Sequence, residues 1–113
     1  MHFERLSRQE SNIIKEVLRA AVDGLFFPDW EFQTLFGITR EKVRHIANEW
    51  PLPNAPPADV VLAVNNSLNW LLSYPHRKHD LWPDWISVDQ RALNELFNKL
   101  RRKSNENPFQ RMM

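Results

Sequence analysis

The stretch Ser7-Arg-Gln-Glu-Ser-Asn-Ile-Ile-Lys-Glu-Val-Leu-Arg-Ala-Ala-Val-Asp-Gly24 decides the fold. Ser7 followed three residues later by Glu10 is a capping box: the hydroxyl accepts from first-turn amides and the carboxylate reaches back to the cap's own amide. Behind it, Ile13, Ile14, Val17, Leu18, Ala21 and Val22 recur at spacings of three and four, with Arg8, Lys15, Glu16, Arg19 and Asp23 between them. That period places one apolar stripe along a helix and leaves the other face to solvent. Gly24 stands where a helix end favours glycine.

The same grammar repeats along the chain. Thr39 caps a second helix whose stripe is Val43, Ile46, Ala47 and Trp50, with Pro51 closing it. The prolines at 51, 53, 56 and 57 form a stiff connector between halves. Pro57 suits the first turn of a third helix, where its missing amide costs nothing, and Val60, Val61, Val64, Leu68, Leu71 and Leu72 carry that helix to about Ser73. Asp89 caps a last helix with the stripe Leu93, Leu96, Phe97 and Leu100. A short helical turn is expected over Glu31 to Phe36, ended by Gly37. The expectation is an all-α bundle of four main helices plus a short one, forming a single domain over residues 1–103 with a frayed tail from Ser104.

Composition agrees. The chain has 113 residues, 42% of them hydrophobic and 26% charged, enough apolar content for one core and too much for a disordered chain. Two glycines leave few positions for tight turns at positive φ, which disfavours hairpin-rich folds and glycine-cradled phosphate sites. With no cysteine there is no disulfide framework, thiol nucleophile or thiolate metal site. The charged N-terminus MHFERLSRQE lacks a secretory apolar region, and no run reaches the roughly 18 apolar residues of a membrane span. A cytoplasmic location is the expectation.

Phe27-Pro28-Asp29-Trp30 recurs as Trp82-Pro83-Asp84-Trp85, each between a long apolar helix and a capped amphipathic one. The caps Thr39 and Asp89 align, and both following stripes step by three, one and three residues. This predicts two helix-loop-helix units about a pseudo-twofold axis, with Trp30 and Trp85 in matching core positions. The aromatic run Leu25 to Trp30 is expected to fold back into the core.

Function is harder to read. Residues 31–50 invite a helix-turn-helix reading, with Gly37 at the turn, Thr39 as cap, and Arg40, Lys42 and Arg44 offered to DNA. Against it, Gln33 occupies a position that wants a small residue, and residues 1–56 hold seven Lys/Arg against eight Asp/Glu, without the basic excess that phosphate neutralisation favours. His76, His79 and Asp80 offer nitrogen and oxygen ligands suited to zinc or nickel, but three neighbours on one loop read better as a solvated surface, and no metal or other cofactor is expected. Asn65, Asn66 and Asn69 interrupt an apolar helix, which predicts amides spent on otherwise unpaired carbonyls. No nucleophile elbow, phosphate loop or His-Glu-x-x-His motif is present, so the reading is non-enzymatic.

The runs Phe26-Phe-Pro-Asp-Trp-Glu-Phe-Gln-Thr-Leu-Phe-Gly37, Arg40-Glu-Lys-Val-Arg44, Ala63-Val-Asn-Asn-Ser-Leu68 and Tyr74-Pro-His76 resemble those of a group of small uncharacterised bacterial helical proteins, over roughly residues 13–100. The group supplies no motif of known chemistry. In size and type such proteins are similar to immunity proteins, which neutralise a toxin by direct contact. The resemblance therefore implies a protein-binding module with a protein partner. The residues themselves point to the contact surface, a charge-rich loop flanked by aromatics: Tyr74, His76, Arg77, Lys78, His79, Asp80 and Trp82, the cations for acidic groups and the aromatics for buried area.

Overall fold

In the computed structural model the described residues are 3–51, 57–74 and 76–101. The expected tail from Ser104 and most of the proline connector lie outside them. Six α-helices run in the order α1 (Arg8–Asp23), α2 (Asp29–Phe36), α3 (Arg40–Glu49), α4 (Ala58–Ser73), α5 (Trp82–Trp85) and α6 (Gln90–Arg101), and no strand occurs among the described residues. Short 3-10 turns at Phe3–Arg5 and His79–Leu81 precede α1 and α5. The fold is all-α, with α1, α3, α4 and α6 as its long members.

The caps form as their residue types require. Ser7 Oγ accepts from the Glu10 amide at 3.1 Å while Glu10 Oε1 accepts from the Ser7 amide at 2.9 Å, closing the box. Thr39 Oγ1 accepts from Lys42 N at 3.1 Å, and Asp89 Oδ1 from Ala92 N at 2.8 Å. Gly37 ends α2 in the left-handed region at φ 75°, where a side chain would be strained. Gly24 is needed for space: a Cβ there would lie 2.6 Å from the Ala20 carbonyl oxygen and 2.8 Å from the Phe26 ring.

The helices expose an internal repeat with a period of fifty residues. α4 begins and ends fifty positions after α1, and α6 begins fifty after α3. Buried residues follow the same spacing: Phe32 and Trp82, Phe36 and Ile86, Val43 and Leu93, Ile46 and Leu96, Ala47 and Phe97, Trp50 and Leu100. The two halves are interlocked. α1 packs on α3 and α4, α4 on α6, and each short middle region packs on the first helix of the other half, α2 on α4 and α5 on α1. Side chains of these first helices bind the opposite corners. Trp70 Nε1 donates to the Leu35 carbonyl at 2.8 Å and Asn66 Nδ2 to the Phe36 carbonyl at 2.9 Å, covering two carbonyls that the end of α2 leaves without helical partners. Fifty positions earlier than Asn66, Glu16 Oε1 accepts from the amide and hydroxyl of Ser87 at 2.9 and 2.8 Å.

This register corrects one expectation. The two Pro-Asp-Trp elements are not equivalent: Pro28 is the N-cap of α2, whereas Pro83 lies inside the first turn of α5. Counted by fifties, Trp30 corresponds to Asp80 and Trp85 to Leu35. Trp30 is accordingly 80% exposed rather than in the core, and in the second element it is Trp82, not Trp85, that is buried. The aromatic run is also split, since Phe26 and Phe27 are buried while Leu25 is 72% exposed.

Candidate functional site

The loop that follows α1 and the loop that follows α4 are equivalent in the repeat, and they meet. Phe26 of the first and His76 of the second, fifty positions apart, pack edge to face with ring centroids 4.9 Å apart. An open cleft of about 410 Å³ lies over this contact, lined by Leu25, Phe26, Phe27, Pro28 and Asp29 from one loop and by Tyr74, His76 and Lys78 from the other. The first wall is largely apolar and the second polar and basic, so equivalent positions have diverged into complementary halves of one site.

Each wall is held from behind. On the apolar side, the guanidinium of Arg40 donates to the carbonyls of Val22 at 2.8 Å and Phe27 at 3.0 Å, pairs with Asp29 at 3.0 Å, and lies 4.4 Å above the Phe32 ring. One planar cation thus caps the end of α1, fixes the loop and anchors the start of α2. On the polar side, the Tyr74 hydroxyl donates to Glu31 of α2. That hydrogen bond, aided by desolvation and by the charge of Glu31, raises the Tyr74 pKa above the usual phenol value.

His76 is buried and spends both ring nitrogens. Nδ1 accepts from the Lys78 amide at 2.9 Å, which assigns the proton to Nε2, 3.2 Å from the Leu71 carbonyl. The ring and the amide two residues on enclose Arg77, whose φ of 58° is in the left-handed region unusual for a side-chain-bearing residue. Burial lowers the His76 pKa, against the raising effect of the Leu71 carbonyl, and the nearby His79 and Lys78 add to the lowering. The ring is therefore neutral and structural.

The expected contact surface is corrected in part. Arg77, Lys78, His79 and Asp80 are exposed as expected. Trp82 is not a contact residue: it is 6% exposed and its Nε1 donates to the Val88 carbonyl at 2.8 Å. His76 likewise belongs to the loop's interior, because a tight turn needs its Nδ1 as acceptor. Tyr74 is half-buried and bound to Glu31, and it lines the cleft. Leu25 and Trp30, expected in the core from the aromatic run and, for Trp30, from the Pro-Asp-Trp repeat, are instead exposed. The fifty-residue register carries the signal that places Trp30 outside, through its equivalence to the polar Asp80.

The cations offered to DNA are engaged within the chain. Arg40 is held as described, Lys42 pairs with Asp59 at 3.1 Å and Arg44 with Asp23 at 3.1 Å. Both nitrogens of His76 being occupied, the pairing of His76 with His79 and Asp80 gives no ligand set, and no group of three or more His, Asp or Glu side chains converges among the described residues. Asn66 meets its expectation at the Phe36 carbonyl, while Asn65 donates to Asn66 Oδ1 at 3.2 Å. No helix among the described residues is long and apolar enough to cross a membrane. Compared with family models, curated proteins and solved structures, the chain matches none.

Proposed function

We propose that this chain is a non-enzymatic protein-binding module that acts through the cleft between the two equivalent loops. The observation that carries the reading is a preformed hollow with fixed backing residues, lined by the largely exposed Leu25 and by Asp29, the residue before the largely exposed Trp30. Exposed large apolar side chains beside a concavity mark interaction sites, and tryptophan is prominent among residues that dominate binding energy. The ionisable groups of the hollow support binding rather than chemistry, since His76 has no free lone pair and Tyr74 is committed to Glu31. Within this class, immunity-type neutralisation of a bacterial toxin is the specific form we propose, on the analogy of small single-domain proteins that act by covering a partner.

The test is photo-cross-linking with p-benzoylphenylalanine at position 30 in the cells that make the protein, with the adduct identified by mass spectrometry. The reading expects one protein partner, lost when Leu25 and Lys78 are both changed to Glu. The immunity form further expects that co-expression rescues growth from the partner's toxicity. Adducts that are unaffected by the cleft substitutions contradict the binding module, and a partner without toxicity contradicts the immunity form.

A further inference from the structure

We infer that the cleft's occupant is an acidic segment of a partner protein, presenting a large apolar side chain beside a carboxylate. This rests on the binding-module reading and adds the chemistry of the partner. The charges at the cleft are unequally spent. Asp29 is paired with Arg40 at 3.0 Å and Glu31 receives the Tyr74 hydroxyl, so the carboxylates of this region already have partners. Arg77 and Lys78 are exposed and form no ion pair among the described residues. Of the exposed charged residues of this loop only Lys78 lines the cleft; Arg77 precedes it and Asp80 lies beyond His79 on the following 3-10 turn, both outside the lining. The unspent charge lining the cleft is that of Lys78, and it stands opposite the apolar wall of Leu25, Phe27 and Pro28.

A carboxylate meeting Lys78 gains a charge-assisted hydrogen bond, while the neighbouring apolar side chain is removed from water against Leu25. Leu25 lines the hollow and is still 72% exposed, so apolar surface continues past the hollow, which suits a chain segment better than a small acid filling the hollow alone. Two cations fall short of the four to eight basic residues (about that many) typical of segments that bind anionic lipid, and a planar headgroup surface does not enter a concavity.

The experiment uses the whole 15N-labelled protein, titrated with the acetylated, amidated hexapeptide Ser-Glu-Leu-Phe-Glu-Ser and with its analogue carrying Gln for both Glu, followed by amide chemical shifts. The expected result is shifts confined to residues 25–30 and 74–79, with binding at least tenfold weaker for the Gln peptide and for the Arg77→Glu, Lys78→Glu protein. Lys78→Glu alone, checked for unchanged circular dichroism, guards against a loop that fails to form. Equal binding of the two peptides, or no shift at either loop, overturns the acidic-segment inference. So does sedimentation of the protein with phosphatidylserine vesicles in place of peptide binding. A partner cross-linked through position 30 and lost on cleft substitution leaves the binding module standing in each of those cases, whereas its absence removes both.

Discussion

Phe26 and His76 meet edge to face at 4.9 Å, one from each of two loops that occupy the same place in a fifty-residue repeat. The contact joins the halves at the floor of the cleft, and it depends on a histidine that folding keeps neutral. Fixing both loops through their interiors leaves Leu25 on one side of the cleft and Lys78 on the other free to be read by a partner, with Trp30 exposed on the first turn of α2 and Arg77 exposed beside Lys78 in sequence.

The neutrality of His76 predicts a pH dependence of stability. Its folded pKa lies below that of the unfolded side chain, so the unfolded chain takes up the proton first and gains on acidification. Stability is complete above the unfolded value of about 6.5 and falls as pH drops below it. His76→Asn, whose side-chain oxygen can accept the Lys78 amide, should show a shallower loss between pH 7 and 5 in urea unfolding. Parallel curves for the two proteins would contradict the assignment.

Arg40 predicts a large effect from a polar side chain near the surface. Removing it leaves the carbonyls of Val22 and Phe27 without a donor. Arg40→Ala should cost about 2 kcal/mol, the usual range for a hydrogen bond to a charged group, and Arg40→Lys should recover less than half because an ammonium lacks the planar fork. A denaturation midpoint unchanged in Arg40→Ala would remove this residue from its proposed place as the loop's support.

Trp82 and Trp30 should separate cleanly. Trp82→Ala empties a core position and loses the Val88 hydrogen bond, for an expected cost of about 3–5 kcal/mol. Trp30→Ala should stay within about 0.5 kcal/mol of the parent, as surface changes do. Thermal unfolding measures both, and comparable losses would contradict the fifty-residue register.

DNA binding through α3 is expected to be absent. Lys42 and Arg44 are paired with Asp59 and Asp23, and the charge of the first half is slightly negative. Random duplex DNA should not retain the protein even at low salt. Retention that falls steeply with salt and is lost in Lys42→Ala, Arg44→Ala would favour the helix-turn-helix alternative.

The four long helices were legible because each carries an apolar stripe, and for three of them a side-chain cap marks the start. The short elements were not. α5 has four residues, too few to show a helical period, and its proline and two tryptophans resemble the cap and first turn of α2 at 28–30 more than they resemble their true counterpart at 32–35. Local likeness of Pro-Asp-Trp therefore competed with the repeat, and tertiary packing decided: Trp82 follows Phe32 into the core while Trp30 follows Asp80 to solvent. At the site, the charged rim of Arg77 and Lys78 was visible in composition. The apolar rim was hidden, because a leucine and a tryptophan beside two phenylalanines read as core until the register separates them.

The most direct test of the cleft as the binding surface is calorimetric titration of the cross-linked partner, once purified, with the parent protein and with Leu25→Ala, Trp30→Ala. The account predicts affinity reduced at least a hundredfold, in line with the roughly 2 kcal/mol or more that central anchors contribute, with an unchanged melting temperature. Affinity within threefold of the parent, in a variant that is equally stable, would contradict it.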